Sequence, residues 1–183
     1  MHLLFVIAAQ CSIEAQAYGA NNFAEVKYAY VKLNGVAVWQ ASFLGEHPNA
    51  YGAHMFVVDP FTCTLLESRN DNTYGDAVAA GRLRAYIESL GDGTVLVGVS
   101  TDEASLYLDA AEATLSALGA DVSDVGWRGA WAFVTEIGDP SKTVFDKELT
   151  EEAARARQPI VTTSLPGTVR SITEAAQLCL HHT

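Results

Sequence analysis

The sequence predicts an α+β domain in which antiparallel strands outnumber helices, and three observations carry that reading. Stretches that alternate apolar and polar residues meet at hairpin-forming turns, the first at Asn34-Gly35 and the second around Asp59-Pro60-Phe61-Thr62. Two later segments repeat their apolar residues at helical spacing. After each helix runs a short β-branched and aromatic stretch, Thr94 to Val99 and then Trp131 to Ile137, suited to a pleated surface.

In chain order, Ala24 to Leu33 sets Val26, Tyr28 and Tyr30 against Glu25, Lys27 and Ala29, the pattern of a half-buried strand. Asn34 and Gly35 tolerate positive φ, so Val36 to Phe43 is expected to return beside it. Gly45 to Gly52, with Pro48 and Asn49, reads as a loop, and Met55 to Val58 with Thr64 to Leu66 as the second hairpin. Between Asp76 and Leu90, Ala79, Leu83, Ile87 and Leu90 share one helical face, and Gly91-Asp92-Gly93 stops that helix. Strand Thr94 to Val99 leads to a second helix with the stripe Ala104, Leu108, Ala111, Leu115 and Leu118. Ser100-x-x-Glu103 reads as its capping box and Gly119 as its stop. After the strand Trp131 to Ile137, Glu148 to Arg157 is expected as a polar helix and Ile160 to Ser164 as a last strand. Arg170 to Leu180 has room for a helical turn or two.

A chain of 183 residues suits one domain with a sizeable core. Its 22 acidic and 11 basic residues give a net charge of −11, with no Lys/Arg run to track phosphates. Nucleic acid and membrane surfaces are therefore not expected partners. The apolar run Met1 to Ala9, with Ala15-Gln16-Ala17 as a cleavage box, reads either as a signal peptide or as a buried terminal strand. Cys11, Cys63 and Cys179 are widely spaced, so at least one has no partner within the chain.

Chemistry concentrates in Gly126-Trp127-Arg128-Gly129-Ala130-Trp131, where a guanidinium lies between two indoles. Arg128 reads either as an exposed charge with its stem on aromatic neighbours or as a planar donor to a sugar beside Trp127. Asp102 is expected in a helix's first turn, where a carboxylate complements the macrodipole. His47, His54, Asp59, Asp102 and Glu103 are scattered and fit no catalytic motif, so the chain is not expected to be an enzyme or to need a cofactor or metal. His181-His182 reads as a solvated tail.

Four segments, in order, resemble the interleukin-like EMT inducer (ILEI or PANDER) family. They are Asp92 to Val97, Asp102 to Ser105, Leu118-Gly119 and Gly126 to Phe133, with Tyr74-Gly75 at the step before the first long helix. The similarity runs from about Ile13 to Leu165, and Trp127 brings the chain nearest to the stem domain of protein O-mannose N-acetylglucosaminyltransferase.

The resemblance implies two facing antiparallel sheets flanked by short helices. It implies a domain over residues 13–167, an extension at 1–12 that is a signal remnant or edge strand, and a tail at 168–183. It also implies a lectin-like site for a short glycan or terminal hexosamine, built by Tyr51, Asp102, Trp127 and Arg128. The family usually has Arg where Tyr51 stands and Asp where Gly129 stands, so a charge is lost on each side of that site. Trp131 is expected in the core and Trp127 partly exposed. The expected partners are a glycan or glycoprotein, with a homo-oligomer or a larger multidomain chain as context. The expected location is outside the cell or in the secretory lumen. The rival reading is a secreted cytokine-like or scaffold domain that binds a protein receptor.

Overall fold

The structure, a computed structural model, describes residues 10–19, 28–42, 51–150 and 158–165. The described strands are β1 (Cys11–Gln16), β2 (Tyr18–Gly19), β3 (Tyr28–Leu33), β4 (Val36–Ser42), β5 (Gly52–Asp59), β6 (Thr64–Asp71), β7 (Val95–Asp102), β8 (Ala130–Glu136), β9 (Asp139–Glu148) and β10 (Ile160–Leu165). Two helices, α1 (Ala79–Ser89) and α2 (Asp109–Ala117), flank β7 in sequence. One sheet runs β10-β1-β3-β4 and the other β6-β5-β7-β8-β9, with β2 attached to β7.

The ladders are antiparallel apart from β2, whose Tyr18 and Gly19 pair in parallel with Thr101 and Asp102. Only Ala17 separates β1 in one sheet from β2 in the other. β1 is an interior strand between β10 and β3, so cleavage after Ala17 would remove it from the middle of its sheet. Cys11 forms a disulfide with Cys63, which ties β1 to the turn between β5 and β6.

The second sheet is buried on both faces, and the parity of each strand decides which face a residue serves. Phe56, Val58, Val95, Val97, Val99, Ala130, Ala132 and Val134 meet Ile13, Ala15, Val31 and Leu33 of the first sheet. On the opposite face Met55, Leu96, Trp131 and Phe133 pack under Leu83 and Ile87 of α1 and Leu115 of α2. The result is three layers, with both helices on one side. Gly98 on β7 is needed here, because a Cβ would lie 2.2 Å from the ring of Phe133 on the neighbouring strand. Phe133 in turn stacks on Trp131 at 5.9 Å between centroids.

Both expected hairpins form. Asn34 and Gly35 take φ of 49° and 79°. Asp59 Oδ1 accepts from the Phe61 and Thr62 amides at 2.8 and 3.3 Å, and β5 and β6 extend well past their expected ends.

Two expectations are corrected. The second helix begins at Asp109, and Ser100-x-x-Glu103 is not its capping box. Pairing of β7 with β5 at Gly52 to Thr101, and with β2, carries the strand through Asp102. Ser100 Oγ accepts from the Trp131 amide at 2.8 Å. The ten-residue β9 was not anticipated, and Glu148, expected to open a helix, is its last residue. As an edge strand β9 pairs on one side only and carries little apolar signal. Residues 151–157 of that expected helix lie outside the described residues, as do 1–9, 24–27, 43–50 with His47, and the tail with Cys179 and His181-His182.

Candidate functional site

At the end of the second sheet where β7 finishes, four loops converge on one patch. Gly52 opens β5 at φ 96°, and a Cβ there would lie 2.4 Å from the Asp71 carbonyl and 2.7 Å from the Thr73 amide. Glycine thus lets the chain bearing Tyr51 pass directly over the 71–73 backbone. Asn70 Nδ2 donates to the Tyr51 carbonyl at 3.0 Å, which fixes that residue from below.

Tyr74 sits in the neighbouring loop, and three bonds hold that loop in place. Thr73 Oγ1 donates to the Ala104 carbonyl at 2.8 Å, the Tyr107 amide donates to the Thr73 carbonyl at 2.9 Å, and Asn72 Oδ1 accepts from the Gly75 amide at 2.8 Å. The Tyr51 and Tyr74 ring centroids are 6.0 Å apart, and Tyr74 and Trp127 are again 6.0 Å apart. Tyr51, Tyr74 and Trp127 remain 37%, 37% and 47% exposed, so the three rings form an open aromatic row. Arg128 closes it, with Cζ 5.4 Å from the Trp127 ring centroid, a cation–π distance.

Trp127 and Arg128 occupy a turn ahead of β8, so the strand parity that would relate Trp127 to Trp131 does not operate. Trp131 is fully buried and Trp127 is exposed beside Arg128, as expected. Arg128 has φ 58°, and the Gly129 amide donates to the Gly126 carbonyl at 2.9 Å. A Cβ at Gly129 would lie 2.6 Å from the Glu148 carbonyl and 2.7 Å from Val125 Cγ1. Glycine at 129 is therefore dictated by how tightly this turn packs on β9.

Glu103 holds the site from inside. Its buried carboxylate accepts from the Ser105 amide and hydroxyl and the Leu106 amide on one oxygen, and from the Arg128 amide on the other. Four donors replace the water that an ionised carboxylate loses on burial. One side chain thus joins the loop after β7 to the Arg128 turn.

Asp102, the last residue of β7, is nearly buried at φ 56°. It lies at a strand end, not in the helix turn where it was expected. Beside it Tyr18 is buried, with a hydroxyl that has no hydrogen-bond partner among the described residues. Burial, then the charge of Asp102 and the nearby Tyr51, push the Tyr18 hydroxyl well above the usual phenol range. It therefore remains a protonated donor under all ordinary conditions.

Of the four expected site residues, Tyr51, Trp127 and Arg128 line the aromatic row, and Asp102 borders it near Tyr18 and Tyr51. Tyr74 and Tyr18 were not anticipated as members. Tyr74 was legible only as part of a family step, and the approach of Tyr18 depends on the parallel pairing of β2. His54 and Asp59 lie elsewhere. His54 is buried between the sheets, its Nε2 2.8 Å from Thr101 Oγ1 and its ring 4.8 Å from that of Trp39. Asp59 sits at the far end of β5 from Tyr51. The described residues contain no cluster of three or more groups suited to a metal ion, and no helix among them is long and apolar enough to cross a membrane.

Residues 51–139 match the family model described as Interleukin-like EMT inducer. The human cell migration-inducing and hyaluronan-binding protein is 33% identical over 97 residues, which are 52% of this chain and 7% of that protein. Its mouse counterpart is 32% identical over 97 residues with the same shares. The chain thus spans about 7% of the length of the curated relatives it matches.

Proposed function

We propose that this chain, whose residues 51–139 belong to the interleukin-like EMT inducer family, is a non-catalytic carbohydrate-binding domain of the secretory pathway or cell exterior. The observation that carries the reading is the row of exposed rings ending on Arg128, with Asp102 beside it. Aromatic faces suit the apolar side of a pyranose, and a planar guanidinium and a carboxylate suit its hydroxyls and acetamide. The Cys11–Cys63 disulfide favours an oxidising compartment.

Two relatives carry "hyaluronan-binding" in their names, which supports a glycan as ligand. The charge balance argues for a neutral hexosamine over an acidic polymer, since the chain is −11 and the single arginine of the site stands among two buried carboxylates, Asp102 and Glu103. Each sugar hydrogen bond replaces one to water and nets about 0.5–1.5 kcal/mol, so a single shallow site binds weakly. Useful avidity comes from several copies.

The test is a glycan array with the purified chain and two variants, Asp102→Asn and Arg128→Asn. Asn tolerates the positive φ of both positions, so folding is preserved while charge is removed. A defined sugar profile lost in both variants, with melting within a few degrees of the parent, is expected. An array silent for the folded parent would sink the reading and favour the rival, a receptor-binding domain using the apolar surface extended by Leu106 and Tyr107.

A further inference from the structure

We propose that Tyr74 is the central ligand contact of this site, and that the ligand is an oligosaccharide of at least two residues laid along Tyr51, Tyr74 and Trp127, not a single terminal sugar. The inference rests on the carbohydrate reading above and goes beyond it in residue and in ligand length.

Geometry carries it. One pyranose covers one aromatic face, whereas this row presents three rings in two steps of 6.0 Å. Neighbouring rings are tilted by 46° and 57°, so none hides the face of the next, and each keeps more than a third of its surface in solvent. Tyr74 is the shared member of both pairs, so a ligand laid ring to ring from Tyr51 to Trp127 passes over it. The loop that carries the ring is held by the Thr73 and Asn72 bonds, so its backbone need not be ordered by a ligand.

Polar groups stand at two places along this row. Arg128 lies over Trp127, while at the Tyr51 end β2 and β5 flank the end of β7 and bring together Asp102 and the buried Tyr18, whose hydroxyl has no hydrogen-bond partner among the described residues. A monosaccharide seated at one of these forfeits the other. A chain of sugars spanning the row engages both, with Tyr74 beneath its middle.

The experiment is calorimetric titration of the full chain with N-acetylglucosamine and its β1,4-linked dimer, trimer and tetramer. Affinity is expected to rise at least about tenfold from monomer to trimer and then to level. Tyr74→Ala should bring the trimer down to the affinity of the monomer and leave the monomer within about twofold. Tyr74→Phe, which keeps the ring, should retain trimer binding. The chain-length series on the unaltered protein needs no variant to fold. A monomer that binds as tightly as the trimer, or a trimer indifferent to Tyr74→Ala, overturns the inference and leaves the carbohydrate reading standing. Failure of every member of the series to bind overturns this inference, and an array silent as well overturns both.

Discussion

Glu103→Gln is the sharpest perturbation of the frame behind the site. The carboxylate is buried and accepts four hydrogen bonds, three of them on one oxygen and the Arg128 amide on the other. Glutamine has the same shape but only one acceptor oxygen, so its NH2 must face either Arg128 or the Ser105 and Leu106 amides, donor against donor. A hydrogen bond to a charged group nets about 1.5–3 kcal/mol, and a donor left unsatisfied adds to the loss. The expected destabilisation is about 2–4 kcal/mol. For a chain of this size that corresponds to roughly 5–15 °C in melting temperature. Calorimetric melting measures it, and amide exchange at Arg128, expected to quicken at least about tenfold, localises it. A Gln variant within about 0.5 kcal/mol of the parent, with Arg128 exchange unchanged, would show that the carboxylate does not hold the turn.

Two further outcomes follow from buried groups. Burial lowers the pKa of His54 from its ordinary 6.5 to about 4, so the unfolded chain takes up a proton between those values that the folded chain refuses. The stability His54 contributes is complete above about pH 6.5 and is lost as the pH falls towards 4, about 3 kcal/mol in all. Urea titrations of parent and His54→Gln from pH 7 to 4.5 isolate that share from the carboxylates, and parallel slopes would refute it. Removing the Cys11–Cys63 bridge as the double serine variant releases a separation of 52 residues, worth about 4 kcal/mol of chain entropy. A urea midpoint that falls by the equivalent of less than about 1 kcal/mol would mean that the bridge constrains little.

Local chemistry wrote the hairpins and α1 plainly, because Asn34-Gly35, the Asp59 turn and the stripe through Ala79, Leu83 and Ile87 each act within a few residues. The start of α2 was misread because Ser100-x-x-Glu103 has the letters of a capping box, while pairing partners far away in sequence hold Ser100 in β7. β9 was invisible for the opposite reason, since an edge strand with a wet face needs no apolar alternation. For the site, residue types identified Arg128 and Trp127, but not Tyr74. Its placement between Tyr51 and Trp127 depends on Gly52 crossing the 71–73 backbone, a close approach that no pattern within one segment encodes.

The two-sided burial of the second sheet decides how much chain the module needs in order to fold. The stretch recognisable as the family, residues 51–139, contains the face formed by Phe56, Val58, Val95, Val97, Val99, Ala130, Ala132 and Val134, yet none of β1, β3 or β10 that cover it. Transplanted alone it would present a bare hydrophobic sheet, with β8 stripped of β9, and would clump before it could bind anything. The unit that folds is therefore larger than the stretch that matches, because Ile13, Ala15, Val31 and Leu33 must close the face that residues 51–139 leave open.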